Sequence, residues 1–184
     1  AGLPAGVRHA AHEEATAHGK DGWLFTLAAP SYIPFMTYSE HRDLREKMYR
    51  AYGSIGGRGN EHDNNGGIRR IVELRAMQAG MLGYATYCDY VLEDRMVQSL
   101  PSLCRFMRDL QDAVLPAARQ DLSDLQSLSD GDAVMPWDIS YLSEKLKQQR
   151  YAFDSEALRP YFPLDAVREG IFGLYGRLYG LRFE

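Results

Sequence analysis

The sequence predicts a mostly α-helical fold, an irregular bundle of seven to eight helices with one or two short strands. Apolar residues recur at spacings of three and four along several long segments, as they do in amphipathic helices. Proline, serine or aspartate stands where these segments begin, and glycine follows several of them. Only residues 23–27 form a short run of aromatic and branched residues of the kind that is typical of a strand.

Length and composition indicate one folded region spanning residues 1–184. The chain has 184 residues, a formal net charge of −4, 45% hydrophobic residues and 25% charged residues, which is ordinary for a globular domain. Its mild acidity does not offer the basic surface that nucleic acids require, so nucleic acid is not an expected partner. No apolar run reaches about 18 residues, so no membrane span is expected.

The first part of the chain contains four predicted elements. They are a helix over 3–18, a strand over 23–27 closed by Pro30, a short helix over 31–38 and a helix over 40–52. Ser31 and Ser39 are the expected caps of the third and fourth elements. Residues 53–67 follow with six glycines and three asparagines, and this composition predicts a flexible surface loop.

Three further helices are predicted before the C-terminal quarter, over 68–82, 84–93 and 99–128. Gly83 is expected as a left-handed cap of the first, and Ser99 as the cap of the third. Pro116 lies inside the third helix and is expected to kink or break it. The cysteines Cys88 and Cys104 fall on separate helices, and they are predicted to be buried free thiols.

Residues 135–182, which we call the aromatic block, are expected to be the part of the chain against which the rest packs. Asp138 is expected to cap a first helix, a short second helix opens at Asp154, and a third opens at Pro163 and ends at Gly180. Residues 181–183 resemble the start of a strand. Aliphatic residues surround the tyrosines of this block at helical spacing, which predicts that most of them are core residues. These tyrosines are Tyr141, Tyr151, Tyr161, Tyr175 and Tyr179.

No catalytic or metal-binding residue is predicted. His12 and Glu13 match the first half of a His-Glu-x-x-His zinc motif, but Thr16 stands where its second histidine is needed. The pair His9 and Glu13 is one turn apart and fits a solvated helix face better than a metal site. The glycine-rich loop lacks the lysine of a phosphate loop, and its Glu61-His62-Asp63 run is interpreted as plain loop.

Substrate binding has three candidate residues, Tyr141, Lys145 and Arg150. Their simplest interpretation is a core tyrosine beside a solvated cationic face. The alternative is a peptide groove, in which a tyrosine hydroxyl and cations hold backbone carbonyls or a C-terminal carboxylate.

Three passages, in order, carry a resemblance to a known family. They are DGWLFTLAAPSYIPFMTYSEHRDLREKMYRAY, IVELRAMQAGMLGYATYCDYVL and PWDISYLSEKLKQQRYAFDSEALRPYFPLDAVREGIFGLYGRLYGL. They resemble the bacterial peptidyl-dipeptidase and oligopeptidase A branch of the thimet oligopeptidase-like zinc metallopeptidases. A small departure is Leu142, where bacterial members usually carry a second tyrosine after Tyr141.

The resemblance implies that the chain is an internal part of a larger helical peptidase. Members have a channel that admits short peptides, and their zinc is held by a His-Glu-x-x-His helix and a later glutamate that have no counterpart in 1–184. The chain is therefore expected to be scaffold and channel wall, without zinc or activity of its own, in an enzyme that releases C-terminal dipeptides. A cytoplasmic location is implied, with the periplasm as the alternative. The competing hypothesis is a stand-alone, non-catalytic helical module that binds peptides or partners.

Overall fold

The computed structural model describes residues 1–129, 131–152 and 155–183, and this part of the chain is helical without a β-strand. The mostly α-helical prediction is therefore confirmed. The helices of the structure are α1 Ala5–Ala17, α2 Ala29–Tyr38, α3 Arg42–Gly53, α4 Asn65–Met81, α5 Tyr87–Leu92, α6 Leu100–Gln126, α7 Ile139–Tyr151, a 3-10 helix Ser155–Tyr161 and α8 Leu164–Tyr179.

Residues 23–27 are an irregular linker, so the predicted strand is wrong. The Leu24 amide donates to the Ala11 carbonyl at 2.9 Å, and the Thr26 amide donates to the Ser31 hydroxyl at 3.0 Å. The linker satisfies its backbone by bonds to neighbouring helices, and Phe25 packs on Phe35 with ring centroids 4.7 Å apart. Pro30 lies in the first turn of α2, where backbone amides have no acceptor within the helix, so the missing N–H of proline costs no hydrogen bond.

The predicted strand start at 181–183 is likewise irregular, because Phe183 stacks on Phe172 of α8 with ring centroids 4.4 Å apart. The other helix ends follow the sequence more closely. The Ser99 side chain caps α6, and Gly83 has the left-handed φ that was expected of it. The helix α8 ends at Gly180, as predicted, and the φ of Gly180 is also left-handed. The short helix near Asp154 exists as the 3-10 helix, although Asp154 itself lies outside the described residues.

Three details of the helices differ from the predictions. The helix α6 continues through Pro116, so the predicted break is absent, because one missing amide does not interrupt the remaining bonds of a 27-residue helix; the alternative of a kink stays a prediction. The helix α3 begins at Arg42, so Ser39 is buried before it instead of capping it. Both Cys88 and Cys104 are free, as predicted, but they are exposed and not buried.

The segment between α3 and α4 is a hydrogen-bonded turn of residues 54–64. The Asn64 amide donates to the Gly56 carbonyl at 2.7 Å, and the Gly59 amide donates to the Asp63 carboxylate at 2.6 Å. The Gly56 φ is +73°, and a Cβ there would lie 2.8 Å from the Asn64 side-chain nitrogen, so this turn requires glycine. The flexibility of the loop stays a prediction.

The core lies where α2 meets α3 and the turn before α7. Phe35, Met36 and Trp137 are buried together, and they are surrounded by partly buried residues, namely Leu3, Phe25, Tyr32 and Met48. The helices continue outward from this core, since α6 packs against α7, α5 against α6 and α4 against α5. The beginning of the aromatic block is thus central, as expected.

The end of the aromatic block is not central. Within the described residues α8 has no buried side chain and no helix packs against it. Tyr151, Tyr161 and Tyr179 are 72%, 77% and 67% exposed, so the prediction that they are core residues is wrong for this chain. Helical spacing identifies an apolar face but does not tell what covers that face.

The surface is unusually large and apolar. The accessible area is 14246 Å², whereas a compact monomer of this mass exposes about 9,000 Å². Large apolar side chains are exposed along α4, α6 and α8, including Ile68, Met77, Phe106, Leu110, Leu164 and Leu178. None of the described helices is both long enough and apolar enough to cross a membrane.

A buried carboxylate joins α3 to the turn before α7. The Asp138 carboxylate accepts hydrogen bonds from Arg42 at 2.8–3.2 Å, from Arg45 at 2.7 Å and from the Met135 amide at 3.1 Å. Asp138 is the N-cap residue of α7, as predicted, but its carboxylate does not cap the amides of that helix. Its oxygens instead accept hydrogen bonds from the two arginines. We call the side chains of Arg42, Arg45 and Asp138 the Arg–Asp–Arg cluster.

Arg45 is itself buried, at 3% exposed, and every described bond of its guanidinium is internal. Its Nε donates to the Trp137 carbonyl at 3.1 Å and its Nη1 to the Ser39 carbonyl at 2.7 Å. A buried charge of this kind is tolerated only when it is paired and hydrogen-bonded. The cluster therefore fixes the position of Trp137 in the core.

Replacing Asp138 by asparagine is expected to lower the free energy of unfolding by about 3–5 kcal/mol, because it leaves buried Arg45 without its counter-charge. The matched control is Asp132→Asn, since Asp132 also pairs with Arg42, at 3.0 Å, but its side chain is 74% exposed. The control should cost less than about 1 kcal/mol. Urea unfolding followed by circular dichroism measures both, and equal losses would contradict a special role for the buried pair.

The pH dependence of stability should report the same carboxylate. Burial alone raises the pKa of Asp138, but hydrogen bonds from Arg42, Arg45 and the Met135 amide outweigh it and lower that pKa. Its contribution is then complete above the unfolded pKa of about 3.9 and is lost as the pH falls through the lower folded value.

We therefore expect the free energy of unfolding to fall below about pH 4, and to fall less steeply in Asp138→Asn. Some slope should remain in the variant, because hydrogen bonds also lower the pKa values of Asp63 and Asp124. Urea titrations between about pH 6 and pH 3 test this expectation. Parallel curves for the two proteins would show that Asp138 does not carry the acid sensitivity.

Candidate functional site

Tyr141 lies at the centre of a surface region in which charged side chains contact an aromatic ring. It lies on the first turn of α7, three residues after Asp138, and is half-buried. The Arg45 guanidinium carbon lies 4.2 Å from the centre of the Tyr141 ring, and the Lys145 ammonium lies 4.6 Å from it. Cations at these distances are attracted to an aromatic ring, so the Arg–Asp–Arg cluster also fixes Tyr141.

Two small cavities border this tyrosine, and we call them together the Tyr141 cleft. They measure 190 Å³ and 130 Å³, and both are lined by Glu40, Tyr141 and Lys145. The larger cavity also reaches the Arg–Asp–Arg cluster and Asp132, and the smaller one reaches the end of α2 and Gly2. The cleft is thus built from α2, α3 and α7, which the core holds together.

The charges around the cleft fall into two classes. Arg42, Arg45, Asp132 and Asp138 pair with one another, and the hydrogen bond to Asp138 raises the pKa of Arg42. Glu144 pairs with Lys147. Glu40 and Lys145 are exposed, and in the described part of the chain no ion pair joins them to each other or to another residue.

Arg150 belongs to a different surface. Nine residues separate it from Tyr141, which is about two and a half helical turns, so the two side chains leave α7 on opposite faces. Arg150 pairs with Asp124 of α6, and hydrogen bonds from Gln120 and then Arg150 lower the pKa of that carboxyl. Lys145, four residues from Tyr141, shares its face. The structure thus brings two of the three predicted substrate-binding residues together and separates the third.

The surface around Arg150 is a groove between α6 and α7 with a volume of 530 Å³. Its floor is apolar, and Lys147, Arg150 and Tyr151 stand at its edge. The floor residues include Leu122, Leu125, Ile139 and Leu146. This is a surface for apolar contact with a cationic border, and its two cations already have carboxylate partners.

The histidines of α1 do not form a metal site. His9 Nε2 lies 3.3 Å from the Glu13 carboxylate, and both side chains are largely exposed. His12 instead contacts the Gly22 carbonyl at 3.0 Å. Among the described residues no three histidine, cysteine or acidic side chains are grouped as metal ligands, so these residues do not fit a zinc ion.

Sequence reasoning missed two parts of the cleft, namely Glu40 and the Arg–Asp–Arg cluster. Asp138 and Arg42 are 96 residues apart, and no local pattern marks such a pair. The separation of Arg150 from Tyr141, in contrast, could have been found from helical spacing alone.

Known proteins that are similar to this chain are peptidases. Oligopeptidase A of Haemophilus influenzae is 37% identical over 190 residues, covering 99% of this chain and 28% of that protein. Oligopeptidase A of Escherichia coli is 36% identical over 189 residues, with coverage of 98% and 28%. The dipeptidyl carboxypeptidase of Escherichia coli is 30% identical over 179 residues, with coverage of 94% and 26%.

The chain spans about a quarter of the length of these relatives. A family model described as Peptidase family M3 matches residues 35–184, which is most of the chain. The match includes the buried core residues Phe35, Met36 and Trp137, the Arg–Asp–Arg cluster and most of the residues that line the Tyr141 cleft. The resemblance carried by the three sequence passages is confirmed, and the chain belongs to Peptidase family M3.

Proposed function

We propose that this chain forms the helical scaffold and part of the channel wall of a zinc peptidase that hydrolyses short peptides. The observation that carries the proposal is the family match over residues 35–184 in a chain that spans about a quarter of its relatives. On this proposal the hydrolytic residues belong to parts of the protein outside these 184 residues, and the chain alone cleaves nothing.

The exposed apolar helix faces support a scaffold role. Ile71, Leu74 and Met77 of α4 are exposed, as are Leu174 and Leu178 of α8. Contiguous apolar surface of this extent is characteristic of a surface that contacts more protein. We propose that the remainder of the peptidase covers these faces, so that α4, α6 and α8 become internal helices in the complete protein.

Zinc is part of the proposal for the complete protein only. Among the described residues no three histidine, cysteine or acidic side chains are grouped as its ligands, so the proposal places the zinc site elsewhere in the protein. When bound elsewhere in such a protein, zinc supplies an activated water for peptide hydrolysis. This chain contributes the wall that positions the peptide, with Tyr141 and Lys145 as the residues proposed to contact it.

The finer proposal is that the complete enzyme releases dipeptides from the C-terminus of its substrates. One relative is named a dipeptidyl carboxypeptidase, whereas two others are named oligopeptidase A. We propose a cytoplasmic location, because two exposed free cysteines suit a reducing compartment.

A chimeric enzyme tests the proposed function. The segment of Escherichia coli oligopeptidase A that matches this chain is replaced by residues 1–184, and zinc content and cleavage of short peptides are measured. We expect about one zinc per chimera and peptide hydrolysis, and neither for residues 1–184 alone. Oligopeptidase A with the segment deleted is the control and should be inactive. Stoichiometric zinc and turnover by the 184-residue chain alone would contradict the scaffold proposal.

Mass spectrometry of the products then tests dipeptide release. Peptides with a free C-terminus should lose two residues at a time, and the same peptides with an amidated C-terminus should resist cleavage. Internal cleavage of amidated peptides would favour a general oligopeptidase over a dipeptide-releasing enzyme.

The second candidate is a non-catalytic peptide-binding module, and the open Tyr141 cleft is the observation that favours it. The two candidates differ in the chimera. A scaffold restores hydrolysis when it replaces the matching segment. A module unrelated to catalysis binds peptides as an isolated chain but does not restore hydrolysis in the chimera.

A further inference from the structure

We propose that the Tyr141 cleft binds a short peptide with both termini free, its carboxylate at Lys145 and Tyr141 and its ammonium at Glu40. The inference builds on the proposed function, in which Tyr141 and Lys145 face the peptide, and adds the chemical class of the ligand. It concerns binding by this chain alone and requires no hydrolysis.

The charge pattern of the cleft is the first argument. Every other ionic group that lines it has a partner of opposite sign, so only one anion, Glu40, and one cation, Lys145, are available to a ligand. These two groups line both cavities yet form no ion pair with each other in the part of the chain that the structure describes. A zwitterion complements such a pair, whereas a simple anion or cation meets one like charge.

The size of the cleft is the second argument. Cavities of 190 Å³ and 130 Å³ have room for a few small residues. Two extended residues span about 7 Å, a length that can join two charges that are too far apart to pair directly. A dipeptide of small residues therefore matches the volume of the cleft, and its two termini carry the charges that Glu40 and Lys145 can bind.

The rigidity of Tyr141 is the third argument. Arg45 fixes its ring, and the guanidinium of Arg45 is held in turn by Asp138 and by the carbonyls of Trp137 and Ser39. None of the described hydrogen bonds uses the Tyr141 hydroxyl, so it remains available to donate to a carboxylate beside Lys145. A donor fixed in advance loses little freedom when a ligand binds.

Calorimetric titration of the 184-residue chain with three ligands tests the proposal. Dialanine has both charges, N-acetyl-dialanine lacks the ammonium, and dialanine amide lacks the carboxylate. We expect saturable binding of dialanine, and binding about tenfold weaker for each capped ligand, because each loses a charged hydrogen bond. No saturable binding of dialanine up to about 10 mM overturns the proposal, and so does equal affinity for all three ligands.

Two variants assign the charges. Lys145→Gln should weaken the binding of dialanine about tenfold but leave the binding of dialanine amide unchanged, because that ligand already lacks the carboxylate that Lys145 contacts. Glu40→Gln should weaken the binding of dialanine about tenfold but leave the binding of N-acetyl-dialanine unchanged, because that ligand lacks the ammonium. The matched controls Lys47→Gln and Glu61→Gln change exposed residues that line neither cavity, and they should bind like the unchanged chain.

Losses of the same size in the control variants, or losses that do not depend on which terminus is capped, overturn the assignment. Circular dichroism verifies that all four variants keep their helix content. Because the titration involves no cleavage, its failure leaves the chimera result unaffected, and an inactive chimera leaves the binding result unaffected.

Discussion

The fold depends on one buried carboxylate between two arginines. Asp138 is only 4% exposed, and it lies 96 residues after Arg42 in the sequence, so this ion pair joins two distant parts of the chain. Burying a carboxylate and a guanidinium is unfavourable unless nearly all of their hydrogen bonds are made. Here the amide of Met135 and the carbonyls of Trp137 and Ser39 complete them. The observed arrangement of α3 and α7 satisfies these groups together, and it places Trp137 in the core and Tyr141 at the cleft.

The sequence predicts the helices well because a helix is a local structure. Its apolar period, its cap at Ser99 and its left-handed glycine at Gly180 are all read within a few residues. Residues 23–27 are different, because aromatic and branched residues also suit a linker that packs on neighbouring helices. The bond from Leu24 to Ala11 and the contact of Phe25 with Phe35 decide between these two structures, and neither has a local signal.

The candidate site likewise has a part that local spacing predicts and a part that only tertiary packing brings together. Tyr141 and Lys145 come together because four residues make one helical turn, and Arg150 leaves the opposite face because nine residues make two and a half turns. Both facts are contained in the spacing. The partners that define the cleft come from α3 and from the residues before it, and packing brings them to α7. Sequence alone therefore identifies the tyrosine and one cation, but it cannot identify Glu40 as the opposing charge or Arg45 as the support of the ring.

The exposed tyrosines of the 3-10 helix and of α8 show what helical periodicity means in a chain that spans about a quarter of the length of its relatives. An apolar face forms wherever burial is favourable, and burial against another part of a larger protein leaves the same pattern as burial within the chain. Tyr161 and Tyr179 therefore carry a core pattern while remaining 77% and 67% exposed. The Arg–Asp–Arg cluster and the Phe35–Trp137 core are held by contacts within the chain, whereas α8 has an apolar face but no buried side chain among the described residues. The same period therefore marks a covered face in one helix and an exposed face in another.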